Sequence, residues 1–224
     1  MTTPDPPPTP AVSPSGRLDL PVEHGHLEAI LKEKATPFAA VVVCHPHPRH
    51  GGTMNNNVVY RVAKALTDAG AAVLRFNFRG VGRSTGRYAD GVGEEADARD
   101  ALDFMARRYP GVPLWMAGFS FGARVGLTVG AADARIDKLL GVGLALKMFD
   151  YGFLERTAKP KAIIQAAEDE FGARDAIVAA VATMAEPKRL YLVDGASHLF
   201  PGHLDELERA AGEAVAFLRE QPVG

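Results

Sequence analysis

Six short apolar runs alternate along the chain with amphipathic segments, and this alternation constrains the fold more than any other feature. The runs are short and mostly aliphatic, whereas the amphipathic segments carry apolar residues three and four positions apart, as helices packed on one face do. The runs cover 39–44, 71–76, 114–117, 139–144, 161–166 and 189–193, and the amphipathic segments cover 58–66, 98–105, 121–129, 176–184 and 204–218. Strand and helix in repetition predict an α/β fold with a mainly parallel central sheet and helices on both faces.

The first 14 residues contain six prolines, a composition that lacks backbone donors and resists packing. We therefore predict a disordered leader over 1–15 and a single domain over 16–224. The start of the chain has neither the basic stretch nor the apolar stretch of a signal peptide, so we expect a cytoplasmic protein.

The overall composition excludes several classes of function. Lys and Arg number 25 against 27 Asp and Glu, so the net charge of −2 gives no electrostatic case for a nucleic acid or a membrane surface as partner. Cys44 is the one cysteine, which excludes an internal disulfide and a cysteine-rich metal site. The apolar runs are far shorter than the about 20 residues that cross a membrane.

A serine flanked by glycines directly follows the third apolar run, in the sequence Gly118-Phe119-Ser120-Phe121-Gly122. This G-x-S-x-G pattern between a strand and a helix is typical of a tight turn that exposes the serine hydroxyl and leaves no space for side chains two residues away. The N–H groups at the start of the following helix point toward negative charge. Ser120 is therefore a candidate nucleophile, and the Phe121 N–H is a candidate donor to an oxyanion.

A serine hydroxyl needs a base to take its proton, and the base needs a third group to fix its tautomer. His198 follows the sixth apolar run and is the candidate base. Three acids, Glu168, Asp169 and Glu170, follow the fifth run, and each is a candidate for the third group. The order serine, acid, histidine along the chain is the order expected of an α/β-hydrolase.

The loop after the first apolar run reads His-Pro-His-Pro-Arg-His-Gly-Gly over 45–52. Acyl transfer needs a second N–H for the oxyanion, and a loop in this position supplies it. Because proline has no N–H, His47 and the residues around Gly51 are the candidate donors. The histidines also resemble the H-x-H-x-D-H of metallo-β-lactamase-like hydrolases. Arg49 replaces the aspartate ligand and cannot bind a cation, so we expect no metal ion.

Together these segments resemble the α/β-hydrolase superfamily, and within it the small lidless serine hydrolases grouped with dienelactone-hydrolase-like proteins. The resemblance covers the chain from about Arg17 to the last amphipathic segment. It is carried by CHPHPRHGGTMNNNVV (44–59), RFNFRGVGRSTG (75–86), AGFSFG (117–122), QAAEDEFG (165–172) and GASHLF (195–200).

The resemblance assigns roles to five residues: the nucleophile Ser120, the base His198, the acid Asp169, and the oxyanion-hole N–H donors Phe121 and His47. Glu168 stays an alternative for the acid, because the glycine that family members often carry before this turn is missing here. Dienelactone hydrolases use a cysteine nucleophile, so the serine in this chain argues against that substrate.

The stretch over 145–160, between the fourth and fifth runs, leaves room only for a loop or a turn or two of helix. Superfamily members with a lid carry an insertion of a few dozen residues here. We therefore expect no lid and an open site that favours small or exposed acyl groups. The candidate substrate contacts, with core packing as the alternative near the elbow, are Met54, Phe119, Met148, Phe149 and Phe200.

The expected function is a serine carboxylesterase-type hydrolase that uses no cofactor and acts on a small-molecule ester. Thioester, lactone and amide substrates are left open, as is a homodimer. A dinucleotide cofactor is disfavoured because the glycines over 80–86 have the spacing G-x-G-x-x-x-G, and no helical pattern begins directly after them. The alternative is a non-catalytic binding protein with the same fold, although a scaffold needs no matched base and acid.

Overall fold

A computed structural model describes residue 12 and residues 16–222, and the predicted leader over 1–15 lies, apart from Val12, outside the described residues. The strands are β1 (Arg17–Val22), β2 (Gly25–Lys32), β3 (Ala40–Cys44), β4 (Ala72–Phe76), β5 (Leu114–Phe119), β6 (Ile136–Val142), β7 (Lys161–Ala166) and β8 (Lys188–Val193). The α-helices are α1 (Asn57–Asp68), α2 (Val92–Arg108), α3 (Phe121–Ala132), α4 (Arg174–Thr183) and α5 (Leu204–Glu220). Short 3-10 helices cover Pro48–His50 and Gly152–Glu155.

The strands form one sheet in the order β1-β2-β4-β3-β5-β6-β7-β8. The pairs from β4 to β8 are parallel, whereas β2 pairs antiparallel with both β1 and β4. This arrangement confirms the predicted α/β-hydrolase fold with a mainly parallel sheet. The antiparallel hairpin of β1 and β2 at one edge of the sheet is an addition that the apolar runs did not indicate.

The sheet is buried between two layers of helices because its central strands are apolar on both faces. In β3, Val41 and Val43 pack with α1 and α5 on one side, and Val42 packs with α2 and α3 on the other. Side chains that alternate between two faces require an uninterrupted apolar strand when both faces are covered. This is the physical reason that the central strands read as continuous apolar runs.

The fourth strand ends earlier than its sequence predicts. The apolar run continues to Leu144, but β6 ends at Val142. Gly143 has φ 56°, a left-handed conformation that turns the chain out of the sheet. The N–H of Leu144 then donates to the side-chain oxygen of Gln165 instead of to a backbone carbonyl of β7. The predicted end at 144 is therefore wrong by two residues.

Residues 143–160, between β6 and β7, contain one 3-10 turn, Gly152–Glu155, and no inserted lid. The prediction of a lidless fold is therefore confirmed. Across the described part of the chain, every helix is too short or too polar to span a membrane.

Candidate active site

Ser120 lies at a sharp turn between β5 and α3. Its backbone has φ 56° and ψ −120°, a conformation that residues other than glycine rarely adopt. The flanking glycines allow this turn. A Cβ on Gly118 would lie 2.2 Å from the carbonyl oxygen of Gly122. A Cβ on Gly122 would lie 2.4 Å from the carbonyl oxygens of Cys44 and His45. Close backbone contacts on both sides of Ser120 therefore require glycine at positions 118 and 122, as the predicted elbow does.

A hydrogen-bonded chain joins three of the predicted site residues. The Oγ of Ser120 is 2.9 Å from Nε2 of His198, and Nδ1 of His198 is 2.7 Å from Oδ2 of Asp169. Because an ionised carboxylate only accepts hydrogen bonds, Nδ1 carries the ring proton and Nε2 accepts from the serine hydroxyl. In this state the imidazole can take a proton from Ser120.

Two aromatic rings and a glycine enclose the imidazole of His198, which is 6% exposed. The ring of Phe119 lies 5.1 Å from it between centroids, and that of Phe171 lies 4.8 Å away edge-on. A Cβ on Gly143 would approach Cε1 of His198 to 3.3 Å. These contacts fix the plane of the imidazole, and sequence reasoning identified neither Phe171 nor Gly143 as part of the site.

The structure distinguishes between the candidate acids. Asp169 is fully buried and contacts the imidazole, whereas Glu168 is exposed. Oδ1 of Asp169 also accepts the N–H of Phe171 at 2.8 Å. Glu170 lies near the histidine, but its carboxylate accepts the backbone N–H of His198 at 3.3 Å and not the ring. The geometry therefore favours Asp169 over Glu168 and Glu170 as the partner of the His198 ring.

His45 begins the loop after β3 and binds only to the backbone through its fully buried ring. Nδ1 donates to the carbonyl oxygen of Pro46 at 2.6 Å, and Nε2 accepts the N–H of Phe78 at 3.0 Å. Burial lowers the pKa of His45 to about 4. Because both ring nitrogens are engaged in this way, the ring ties the loop to the end of β4 and is not free to ligate a metal. No group of three metal-ligating side chains occurs within the described residues.

His47 lies over the ring of Phe121, with the two centroids 4.8 Å apart. Its Nδ1 accepts the N–H of Arg49 at 3.1 Å, and its Nε2 is 3.2 Å from the hydroxyl of Tyr88. Burial lowers the pKa of His47. Because Nδ1 accepts the N–H of Arg49, the ring proton lies on Nε2, which donates to the hydroxyl of Tyr88, a residue that the sequence did not single out.

The backbone N–H groups of Phe121 and His47 are the predicted oxyanion donors. Among the hydrogen bonds of the described residues, neither N–H has an acceptor. Phe121 is the first residue of α3, where helical N–H groups have no partner within the helix. The loop that carries His47 reaches the elbow through the contact between Gly122 and the carbonyl groups of Cys44 and His45.

The five predicted substrate contacts fall into two groups. Met54, Phe119 and Phe200 are at most 1% exposed, and they pack in the protein interior and line no open surface. Met148 is 62% exposed and Phe149 is partly exposed, on the segment after β6. Substrate contact stays a prediction for Met148 and Phe149, whereas the burial of the other three indicates packing.

Ser120 itself is partly exposed. A groove of about 900 Å³ lies elsewhere, between the C-terminal part of α3 and the segment before β7, and neither Ser120 nor His198 lines it.

Cys44 is fully buried at the end of β3. Burial raises the pKa of its thiol, which disfavours the thiolate that a nucleophilic cysteine needs.

An α/β-hydrolase fold with a serine at its nucleophile elbow and a histidine within hydrogen-bonding distance defines the class of α/β serine hydrolases. Within this class, the model of the family described as serine aminopeptidase, S33 matches residues 35–153, and the chain belongs to that family.

Solved structures and a curated relative support this assignment. A serine hydrolase homologue from Coxiella burnetii is 36% identical with a TM-score of 0.83, covering 91% of this chain and 98% of its own. A serine hydrolase without a lid from Xanthomonas campestris is 32% identical with a TM-score of 0.82, covering 92% and 96%. An uncharacterised protein of Rickettsia prowazekii is 33% identical over 199 residues, which cover 84% of each chain. The expected resemblance to lidless α/β serine hydrolases is confirmed.

Proposed function

We propose that the protein is a serine carboxylesterase-type hydrolase that cleaves small or exposed acyl esters through an acyl-enzyme. The observation that carries this proposal is the hydrogen-bonded chain from Ser120 through His198 to Asp169, with donor–acceptor distances of 2.9 and 2.7 Å. An activated hydroxyl, a neutral base and a buried carboxylate are the three groups that acyl transfer to serine requires.

Acylation begins when Oγ of Ser120 attacks the ester carbonyl carbon. The Oγ–C bond forms as the hydroxyl proton passes to Nε2 of His198, and the carbonyl π electrons move to the oxygen. The negative charge of Asp169 stabilises the imidazolium that results. The C–O bond to the alcohol then breaks, and the leaving oxygen takes the proton from Nε2.

The oxyanion of the tetrahedral intermediate accepts hydrogen bonds from the N–H groups of Phe121 and His47. Donors placed in advance lower the barrier because they need no reorganisation as charge develops. The start of α3 adds the positive end of its helix dipole to the same position. Both donors are backbone groups, so this step does not depend on the side chains of either residue.

Deacylation repeats the sequence with water as nucleophile. His198 takes a proton from the water as its oxygen bonds to the acyl carbon, and the acid is released when the bond to Oγ breaks and Ser120 regains the proton. Because the site lacks a lid, its substrates are acyl groups that are small or project into solvent. Thioesters, lactones and amides follow the same steps and are alternative substrates.

The central experiment compares wild type with Ser120→Ala on p-nitrophenyl acetate and with a fluorophosphonate probe. We expect the variant to lose turnover to the buffer rate and to lose labelling, because the Ser120 hydroxyl is the attacking group of the proposed mechanism. Ser197→Ala is the matched control, since it removes a hydroxyl beside His198 and should keep both signals.

Turnover by Ser120→Ala equal to wild type would disprove the mechanism, as would probe labelling at another residue. A folded wild-type protein that neither turns over acyl esters nor reacts with the probe would instead favour a non-catalytic binding protein. A screen of esters of increasing acyl length tests the open site, and a preference for long chains would contradict it.

A further inference from the structure

Gln165 lies one residue before the end of β7, and its side chain is fully buried behind the Asp169 carboxylate. Its Oε1 accepts the N–H of Leu144 at 2.8 Å. Its Nε2 donates to Oδ2 of Asp169 at 2.8 Å and to the carbonyl oxygen of Gly172 at 3.0 Å. This one amide therefore joins the turn after β6 to the turn that carries Asp169.

The chemistry of its neighbours fixes the orientation of the amide. The N–H of Leu144 can only donate, so the oxygen of the Gln165 side chain must face it. The amide nitrogen must then face Asp169 and Gly172, which offer only acceptors. A flipped amide would place two acceptors against each other in the protein interior, at the cost of every hydrogen bond that the side chain makes.

The Gln165 amide contacts the same oxygen of Asp169 that accepts the hydrogen bond from His198. Oδ2 of Asp169 accepts both from Nε2 of Gln165 and from Nδ1 of His198, at 2.8 and 2.7 Å. The other oxygen, Oδ1, accepts the N–H of Phe171. Three donors from three directions hold the carboxylate, and a rotation that weakened the contact to His198 would also break the contact to Gln165.

We infer that Gln165 is a positioning residue for the proposed reaction, because its amide holds Asp169 in the rotation that orients and polarises His198. The inference rests on the proposed function. A purely structural role, in which Gln165 only links two turns, would affect stability and not the chemistry of His198.

The experiment compares Gln165→Leu with Gln165→Glu. The leucine variant removes the donor to Asp169 at similar volume. The glutamate variant keeps the acceptor for Leu144 but places a carboxyl group against Asp169, and two carboxyl groups at this distance share one proton. At low pH the shared proton restores a donor, and at higher pH its loss leaves two charges in repulsion. Gln221→Glu is the matched control, since Gln221 is the other glutamine of the chain and contacts Phe217 at the end of α5.

For Gln165→Leu we expect kcat to fall by about 10- to 100-fold with KM little changed, because misplacement of a reacting group by about 1 Å costs about 100-fold. For Gln165→Glu, the ratio of its kcat/KM to that of wild type should be highest at low pH and should fall as pH rises. The ratio for Gln221→Glu should stay near one throughout. Melting temperatures establish that each variant is folded at the assay temperature.

In the turnover assays, the inference would be overturned by a folded Gln165→Leu with wild-type kcat, or by equal losses in both variants at every pH. If the leucine variant does not fold, the pH dependence of Gln165→Glu decides alone. The proton NMR signal of His198 Nδ1–H provides a readout without turnover, and an unchanged signal in Gln165→Glu at high pH would also refute the inference. If wild type turns over esters and Ser120→Ala does not, any such failure concerns Gln165 and leaves the proposed function intact.

Discussion

Two buried histidines, His198 and His45, lie at the carboxyl ends of strands in the same sheet, yet their surroundings differ in kind. Both rings use both nitrogens. His198 contacts a carboxylate and a hydroxyl, whereas His45 contacts a backbone carbonyl and a backbone N–H. The carboxylate stabilises the imidazolium with a full negative charge, whereas the backbone carbonyl offers only a dipole. The serine hydroxyl can supply a proton to the ring, whereas the backbone N–H does not give its proton up. The partners of a buried histidine, and not its burial, therefore decide whether it can move a proton.

The largest effect on turnover should come from Asp169, the carboxylate that contacts His198 and has no counterpart beside His45. Asp169→Asn replaces the acceptor at Oδ2 with a group that can stabilise the wrong tautomer of His198. We expect kcat to fall by about 10³- to 10⁴-fold with the fold retained. The measurement is ester turnover, with circular dichroism to establish folding. Glu168→Gln is the matched control and should turn over at a rate close to that of wild type. A comparable loss in the control would transfer the role to Glu168.

The next effect concerns His45 and appears in stability. Its pKa is about 4 when folded against 6.5 ordinarily, so between these values the unfolded chain binds a proton that the folded protein does not. Stability from this group is thus complete above pH 6.5 and falls as pH drops toward 4, by about 3 kcal/mol in total. Urea unfolding across this range should show a steeper decline for wild type than for His45→Gln. Parallel declines would show that His45 does not carry this pH dependence.

A smaller effect is expected at the opposite end of the sheet, where Lys161 is buried at the start of β7 and donates to the carbonyl oxygens of Thr157 and Ala185. Like His45, it contacts only backbone groups. Lys161→Met should lower the free energy of unfolding by about 2 kcal/mol, because two acceptors lose their donor. Turnover per folded molecule should not change. A loss of kcat in the folded variant would break the rule that backbone partners indicate a structural role.

Much of the fold follows from local patterns in the sequence. Both faces of the central strands are covered, so they appear as apolar runs. The spacing of apolar residues predicts the five α-helices found in the described part of the chain. The elbow at Ser120 can also be predicted from the sequence, because backbone contacts require its flanking glycines. The hairpin of β1 and β2 gives no continuous apolar run, since polar and apolar residues alternate in β1 and Glu28 interrupts β2.

The parts of the site that sequence reasoning missed depend on where side chains point after the chain turns. Gln165 reads as one polar residue within the apolar run of β7, and nothing local indicates that its amide meets Asp169 four residues later. Phe171 lies in a turn and Tyr88 in an irregular loop, and the conformation of these segments decides which contacts the two rings make. Conversely, Phe200 follows His198 closely in sequence but points into the core, with φ 55° and no exposed surface.

The contact between Gly122 and the carbonyl groups of Cys44 and His45 has a consequence for variation among relatives. It is a contact of main chain against main chain, and it sets the distance between the elbow and the loop that bears the second proposed oxyanion donor. Side chains around the site can therefore be exchanged for new substrate preferences while the two N–H groups keep their separation. The same contact excludes any side chain at position 122. Substitutions in this site are therefore tolerated at the residues that face substrate and not at Gly122.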